Sequence, residues 1–259
     1  MPDTIRTDAV VLRSRPYGET DRIVVFFGRE VGKFTGIAKG AKNSRRRFAG
    51  SLETLAGIRV FFRTKPGASL AFVERCELLR PSLPLAAPSR FPYASYVAEL
   101  TDRMTPERDP LPHVYELLDT TLRTLETSPA TPSFLRAFEL RLLRALGLAP
   151  DPDSCGHCHR PLAPEEEAAL RVDSFLLVCP GCSRGNAGER RLGSASRAAV
   201  GRLLQGALAE VARLRFPPEV SEDLSALTGA LLGPHLTRPL ASLGWIRSLA
   251  SPSPSLPRG

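Results

Sequence analysis

The stretch RIVVFFG, residues 22–28, decides the fold of the first third of the chain. Its β-branched residues and two phenylalanines run without a polar break, too short for a helix and closed by Gly28, which reads as a strand. Working outward, residues 5–13 make a strand before it, with Ala9, Val10, Val11 and Leu12 as the apolar part and a turn at Pro16-Tyr17-Gly18. Residues 31–38 make one after it, where Gly32 and Gly36 indicate a bulge or a close backbone approach. Residues 57–63 and 69–79 complete the set as a hairpin about Pro66-Gly67. Five strands in this space predict a small β-barrel.

A five-stranded oligonucleotide-binding (OB) barrel fits that count, though periodicity alone does not separate it from other small barrels. Residues 81–92 carry Pro81, Pro84, Pro88 and Pro92 and read as a linker. Beyond them the apolar period changes from 2 to 3.6. Tyr93, Val97, Leu100 and Met104 share one helical face; Val114, Leu117, Leu118, Leu122 and Leu125 a second; Phe134, Leu135, Phe138, Leu142, Leu143 and Leu146 a third, stopped by Gly147 and Pro150. Residues 195–214 return to helix, followed by shorter helices at 224–232 and 240–249, the last holding the only tryptophan, Trp245. The expected organisation is therefore an OB-type barrel over 1–80, an α-helical bundle domain over 93–150 and 194–249, an inserted module over 151–193, and a disordered tail over 250–259.

The chain has 259 residues and a net charge of +8, with 42% apolar residues, enough for real cores. Residues 1–80 contain 16 Lys and Arg against 8 Asp and Glu, whereas the remainder has 19 of each. All the excess positive charge thus belongs to the barrel region, which argues for a dedicated anion-binding domain. It concentrates in GKFTGIAKGAKNSRRRFAGSLETL, residues 32–55, where no acidic residue intervenes between Glu30 and Glu53. Lys33, Lys39, Lys42, Arg45, Arg46 and Arg47 are the candidate phosphate contacts. Phe34 and Phe48 bracket the cluster and either stack exposed bases or fill the barrel.

Cys155-Gly-His-Cys158 and Cys179-Pro-Gly-Cys182 are two CxxC knuckles. Four thiolates suit a tetrahedral zinc ion, and a full thiolate set leaves no open coordination position, so one structural Zn2+ is expected on Cys155, Cys158, Cys179 and Cys182. Residues 175–178 read as the second strand of a hairpin bringing the knuckles together. His157 and His159 read as bystanders and Cys76 as a buried small hydrophobe. The segment Gly28-Arg-Glu-Val-Gly32-Lys33-Phe34 is one residue short of a phosphate loop and has Phe34 where a hydroxyl should meet magnesium, which rejects nucleotide hydrolysis there. No GxSxG, HExxH or other histidine-based catalytic arrangement occurs, so no enzyme is expected. No apolar run is long enough for a membrane span, and no secretory signal is visible; with paired rather than disulfide-type cysteines, the expected location is the cytoplasm, on the nucleoid.

The order of these features resembles the RecO family of bacterial DNA repair and recombination mediators. Val11-Leu-Arg-Ser-Arg-Pro-Tyr-Gly-Glu-Thr-Asp21 is similar to the family's opening signature and Ala38-Lys-Gly-Ala-Lys42 to its second. Ser51-Leu-Glu-Thr-Leu55, Phe134-Leu-Arg-Ala-Phe-Glu-Leu140 and Arg238-Pro-Leu-Ala-Ser242 follow the same pattern. The resemblance implies an OB fold, binding of single- and double-stranded DNA, annealing of complementary strands, and loading of the recombinase onto coated single strands without enzymatic turnover. It also implies two protein partners: RecR, and the acidic C-terminal tail of single-stranded DNA-binding protein, which docks on the helical domain. Arg136 and Arg141, on the third helix beside apolar neighbours, are the candidate contacts for that tail. A zinc-ribbon protein acting on RNA or in transcription is the alternative reading. Nucleic acid generally crosses strands 2 and 3 of such a barrel and the loops after strands 1 and 4, whereas the arginine run lies between strands 3 and 4.

Overall fold

The computed structural model describes residues 3–250 except Arg45, Pro66 and Asn186, without the side chains of Leu249 and Ala250. The expected disordered tail therefore lies, apart from residue 250, outside the described residues. Five strands close a barrel in the order β1-β2-β3-β5-β4: β1 (Ile5–Tyr17), β2 (Asp21–Gly28), β3 (Gly32–Ala38), β4 (Gly57–Arg63) and β5 (Ala71–Arg80). This is the five-stranded OB barrel. β1 is longer than its apolar part because one strand serves two neighbours, pairing with β4 through Ile5–Val10 and with β2 from Ala9 to Tyr17. A register shift between Val11 and Arg13 bends it around the barrel.

Alternation fixes which residues point inward. Val24 and Phe26 of β2 meet Phe34 and Ala38 of β3, Ile58, Val60 and Phe62 of β4, and Val73 of β5 in one core. Phe34 sits between Phe26 and Phe62, with ring centroids 5.0 and 4.4 Å away. Phe48, Leu52 and Ala56, from the β3–β4 connection, join the same core. Gly32 has φ +67°, and a Cβ there would lie 1.9 Å from the Asp109 carbonyl oxygen, so the close approach read from the sequence is real.

β2 is buried on both faces from Ile23 onward, which explains why its sequence does not alternate. Helices α1 (Phe91–Met104), α2 (Pro112–Thr127) and α7 (Ala241–Ala250) belong to the barrel's compact unit, residues 1–126 with 238–259. The buried Arg80 at the end of β5 pairs with Asp119 at 3.5 Å and Glu126 at 3.2 Å on α2. Glu99 of α1 accepts hydrogen bonds from the Ala241 and Ser242 N–H groups and from the Ser242 hydroxyl, capping α7. Between barrel and helices, Leu83–Leu85 forms a single 3-10 turn with Leu85 fully buried, and α1 begins at Phe91 within the stretch read as a linker.

The second unit, residues 127–237, is built on α3 (Pro132–Ala145), against which α4 (Ser194–Gln205), α5 (Leu208–Val211) and α6 (Pro218–Leu232) pack. Thr131 caps α3, and Phe134, Phe138, Leu140, Leu142 and Leu143 are fully buried along it. The helices thus divide between two units instead of forming one bundle, α1, α2 and α7 with the barrel and α3 to α6 in the second. The expected helix over 195–214 breaks at Gly206, whose φ of −65° and ψ of 153° turn the chain out before α5. Inserted between α3 and α4 is a three-stranded sheet ordered β7-β6-β8, from β6 (Ala168–Arg171), β7 (Leu176–Val178) and β8 (Glu189–Leu192).

Candidate nucleic-acid interface and metal centre

The β3–β4 connection folds back on the β1–β2 turn. Lys42 N–H donates to the Thr20 carbonyl at 2.9 Å and its Nζ to the Gly18 carbonyl at 3.2 Å. Gly40 N–H donates to Asp21 Oδ1 at 2.8 Å. The Gly40 N–H holds the Asp21 carboxyl below the usual range, with help from the Thr20 hydroxyl and the charges of Lys39 and Lys42. These contacts present Lys39, Lys42, Arg46 and Arg47 together on the surface, all exposed. Arg47 is steadied by the Lys39 carbonyl at 2.9 Å and lies over the Phe48 ring at 5.0 Å. Arg45 falls outside the described residues.

Three sequence candidates do not reach this surface. Lys33 is buried, its ammonium 3.4 Å from Asp102 Oδ1 and 2.5 Å from the Asp102 carbonyl. Its position on β3 aims it at Asp102 of α1 instead of solvent, and that corrects its assignment to phosphate. Phe34 is enclosed in the barrel stack, and Phe48 is also in the core, so neither ring is open to a base.

The four cysteines converge as their spacing suggested. The Sγ atoms of Cys155, Cys158, Cys179 and Cys182 all lie within 4.8 Å of one another. A tetrahedron of four Zn–S bonds of about 2.3 Å has edges of about 3.8 Å, so this donor set is close to what a tetrahedral ion requires. The knuckles are locally built. His159 N–H donates to the Cys155 carbonyl at 2.8 Å, and Ser183 N–H to that of Cys179 at 3.0 Å. His159 adopts φ +60° to close the first turn. Gly156 is needed because a Cβ would stand 2.9 Å from the Leu176 side chain on β7. Cys155 is buried, which pushes its thiol up, yet N–H groups of Cys158, Cys179 and His157 outweigh this and bring it down to about 6. Donors aimed at sulfur favour the thiolate, the form that binds metal. His157 and His159 are exposed and stand outside the sulfur cluster. Cys76, in the barrel, is pushed up to about 12 by burial, as expected of an inert thiol.

A family model described as recombination protein O N terminal matches residues 1–82, and one described as recombination protein O C terminal matches 86–244. The chain belongs to the RecO family. Similar chains include proteins named DNA repair protein RecO from Anaeromyxobacter sp. (strain Fw109-5), 35% identical over 93% of this chain and 95% of that one, and from Geobacter sulfurreducens, 35% identical over 95% and 98%. One from Syntrophobacter fumaroxidans is 38% identical over 68% of this chain and 70% of its own length. Membership places this chain among DNA repair and recombination proteins, and no described helix is long and apolar enough to cross a membrane.

In this RecO chain the two arginines expected to receive a partner's tail are engaged within their own unit. Arg136 pairs with the buried Glu139 at 2.9 Å and donates to Thr228 Oγ1 at 2.5 Å. Arg141 donates to the carbonyls of Leu203, at 2.9 Å, and Gly206, while Arg144 donates to that of Leu204 at 2.9 Å. These guanidinium groups satisfy the last carbonyls of α4 where Gly206 ends it. Burial, with Arg144 alongside, pulls Arg141 below its ordinary value.

Two further residues matter that no motif announced. Buried Arg197 on α4 donates to the carbonyls of Pro152, Ala163, Pro164 and Glu166, clamping the segment that carries the first knuckle. Glu189 of β8 accepts from Ser183 Oγ, Arg184 N–H and Gly185 N–H and pairs with Arg171, ordering the chain after the second knuckle. These contacts hold its carboxyl down at about 2, the Ser183 hydroxyl contributing most. Only their spatial partners distinguish these side chains from solvated ones.

Proposed function

We propose that this RecO-family chain binds single- and double-stranded DNA through the exposed basic loop of its barrel, anneals complementary strands, and helps load a recombinase onto coated single strands. The observation that carries the reading is that the loop bearing the exposed Lys39, Lys42, Arg46 and Arg47 is seated against the β1–β2 turn through Gly40 and Lys42. Two strands repel through their phosphates, and a surface that neutralises both lowers that barrier and raises their local concentration. The task needs charge and position but no turnover, so the protein acts without a catalytic centre. RecR and the acidic tail of the coating protein are the partners implied by the family; Arg136 and Arg141, engaged internally, are not the residues that carry the tail. One Zn2+ on Cys155, Cys158, Cys179 and Cys182 serves to hold the inserted module together, all four donors being protein thiolates. Action in the cytoplasm on the nucleoid follows from the same reading.

The test is a variant with Lys39, Lys42, Arg46 and Arg47 all changed to alanine. Four phosphate contacts on a single strand contribute about −3 to the slope of log K against log salt, and the variant is expected to lose that contribution and to slow annealing without nucleotide. Unchanged affinity and slope would defeat the reading. Preference for RNA over single-stranded DNA in the same assay would favour the zinc-ribbon alternative.

A further inference from the structure

The first cysteine knuckle lies on a finger of chain whose neck is closed by a side chain from outside it. Leu162 N–H donates to the Asp153 carbonyl at 3.0 Å and Cys155 N–H to the Arg160 carbonyl at 2.9 Å, so residues 153–162 fold back on themselves. Ser154 and Pro161 bridge the same finger. At its base stands Arg197, near the start of α4. On one side of the neck its Nη1 donates to the Pro152 carbonyl at 2.7 Å. On the other its Nη2 donates to the carbonyls of Ala163 and, at 3.1 Å, Pro164, and its Nε to that of Glu166 at 3.2 Å.

Three arginines are buried among the described residues: Arg80, Arg171 and Arg197. Arg80 pairs with Asp119 and Glu126, and Arg171 with Glu189. Arg197 instead meets only carbonyl oxygens, the Glu166 carboxylate being held by Arg160 at 2.9 Å. Carbonyl dipoles satisfy a guanidinium's donors but leave its charge uncancelled, and an uncancelled buried charge is costly. The cysteine cluster offers the missing counter-charge. A divalent ion on four thiolates retains roughly two negative charges. Cys155 and Cys179 are buried like Arg197, and water screens the attraction between buried charges less than at a surface.

We propose that Arg197 is a positioning residue of the metal centre, fixing the finger that bears Cys155 and Cys158 and supplying a buried positive charge that offsets the tetrathiolate. The inference rests on the proposed zinc binding and adds to it a group outside the cysteines that sets how tightly the ion is held.

The full-length zinc-loaded protein and its variants compete with a chromogenic chelator, which gives the zinc dissociation constant and the rate of zinc loss. Outer partners of a metal site are worth about 10–100-fold in affinity. Arg197→Gln keeps amide donors without the charge and is expected to weaken zinc binding about 10-fold or more. Arg197→Lys keeps the charge with fewer hydrogen bonds and is expected to recover most of that loss. Cobalt-loaded Arg197→Gln keeps the parent's ligand-field bands, because all four sulfurs still bind, whereas Cys155→Ser alters them. Unchanged zinc affinity in Arg197→Gln would overturn the proposal. So would shifted cobalt bands in that variant, or equal losses in Arg197→Gln and Arg197→Lys, the result a clamp acting through hydrogen bonds alone predicts. Where Arg197→Gln does not fold, Arg197→Lys decides: affinity within about threefold of the parent upholds the proposal, and a larger loss overturns it. If Cys155→Ser keeps its full zinc content, the four-thiolate reading falls first; if Cys155→Ser loses zinc while Arg197→Gln holds it as the parent does, only the role of Arg197 falls.

Discussion

Replacing Lys33 with methionine keeps the aliphatic stem and removes the charge, and it is expected to cost stability while leaving the salt slope of DNA binding unchanged. Lys33 lies 3.4 Å from the carboxylate of Asp102, whose side chain is only 7% exposed, and also donates to the Asp102 carbonyl. Removing one member of a buried pair costs 3–5 kcal/mol when the remaining charge has no other partner. Asp102 retains Arg13 at 2.8 Å, but that side chain is 68% exposed and its attraction is screened. The expected loss is therefore about 2 kcal/mol. With a urea m-value of about 2 kcal/mol/M, the midpoint falls by about 1 M. Trp245, stacked on Phe91 at 5.8 Å within the same unit, supplies the fluorescence signal. DNA binding by the folded variant keeps its salt slope, because Lys33 meets no phosphate. A midpoint that stays put, joined to a slope reduced by about 0.7 on single strands, would refute the buried-pair account and return Lys33 to the DNA surface.

Other outcomes follow from the same geometry. Burial pushes the Glu99 carboxyl up, but the N–H groups of Ser242 and Ala241, the Ser242 hydroxyl and Arg103 together hold it below its ordinary value. A carboxyl lowered on folding stabilises above the unfolded value and loses that contribution as pH falls through the folded one. Glu99→Gln should therefore reduce α7 stability near neutral pH, the gap to the parent protein closing as pH falls below the ordinary glutamate range, read from Trp245 emission. The purified protein is expected to carry one zinc per chain by elemental analysis, and Cys155→Ser to lower that content and expose amides of 151–193 to exchange while the barrel stays protected. Full zinc retention would count against the four-thiolate site. Arg141→Ala leaves the Leu203 and Gly206 carbonyls without their donor and should cost about 1–3 kcal/mol in the second unit. An acidic tail peptide should bind the Arg141→Ala protein unchanged in calorimetry; weakened binding with stability intact would restore Arg141 as a docking residue.

The sequence by itself determined the five strands of the barrel, the confinement of excess charge to the barrel region, and the cysteine cluster. Each depends on local order: period 2 against 3.6, a run of like charges, a two-residue spacer that lets both sulfurs of a knuckle reach one ion. Tertiary structure decided what each polar or aromatic side chain faces. Lys33 and Lys39 are equivalent charges in one stretch, yet strand alternation and Asp102 of α1 bury the first, while the β1–β2 turn displays the second. Phe34 and Tyr17 are both aromatic, but closure of the barrel encloses one between Phe26 and Phe62 and leaves the other at the end of a hairpin. Arg136 and Arg141 look like surface arginines on a helix until α4 brings carbonyls and α6 brings Thr228 to them, beside Glu139 on their own helix. The stretch 32–55 illustrates the physical reason: its charge is a property of the chain, whereas its usable charge depends on contacts made by residues far away in sequence.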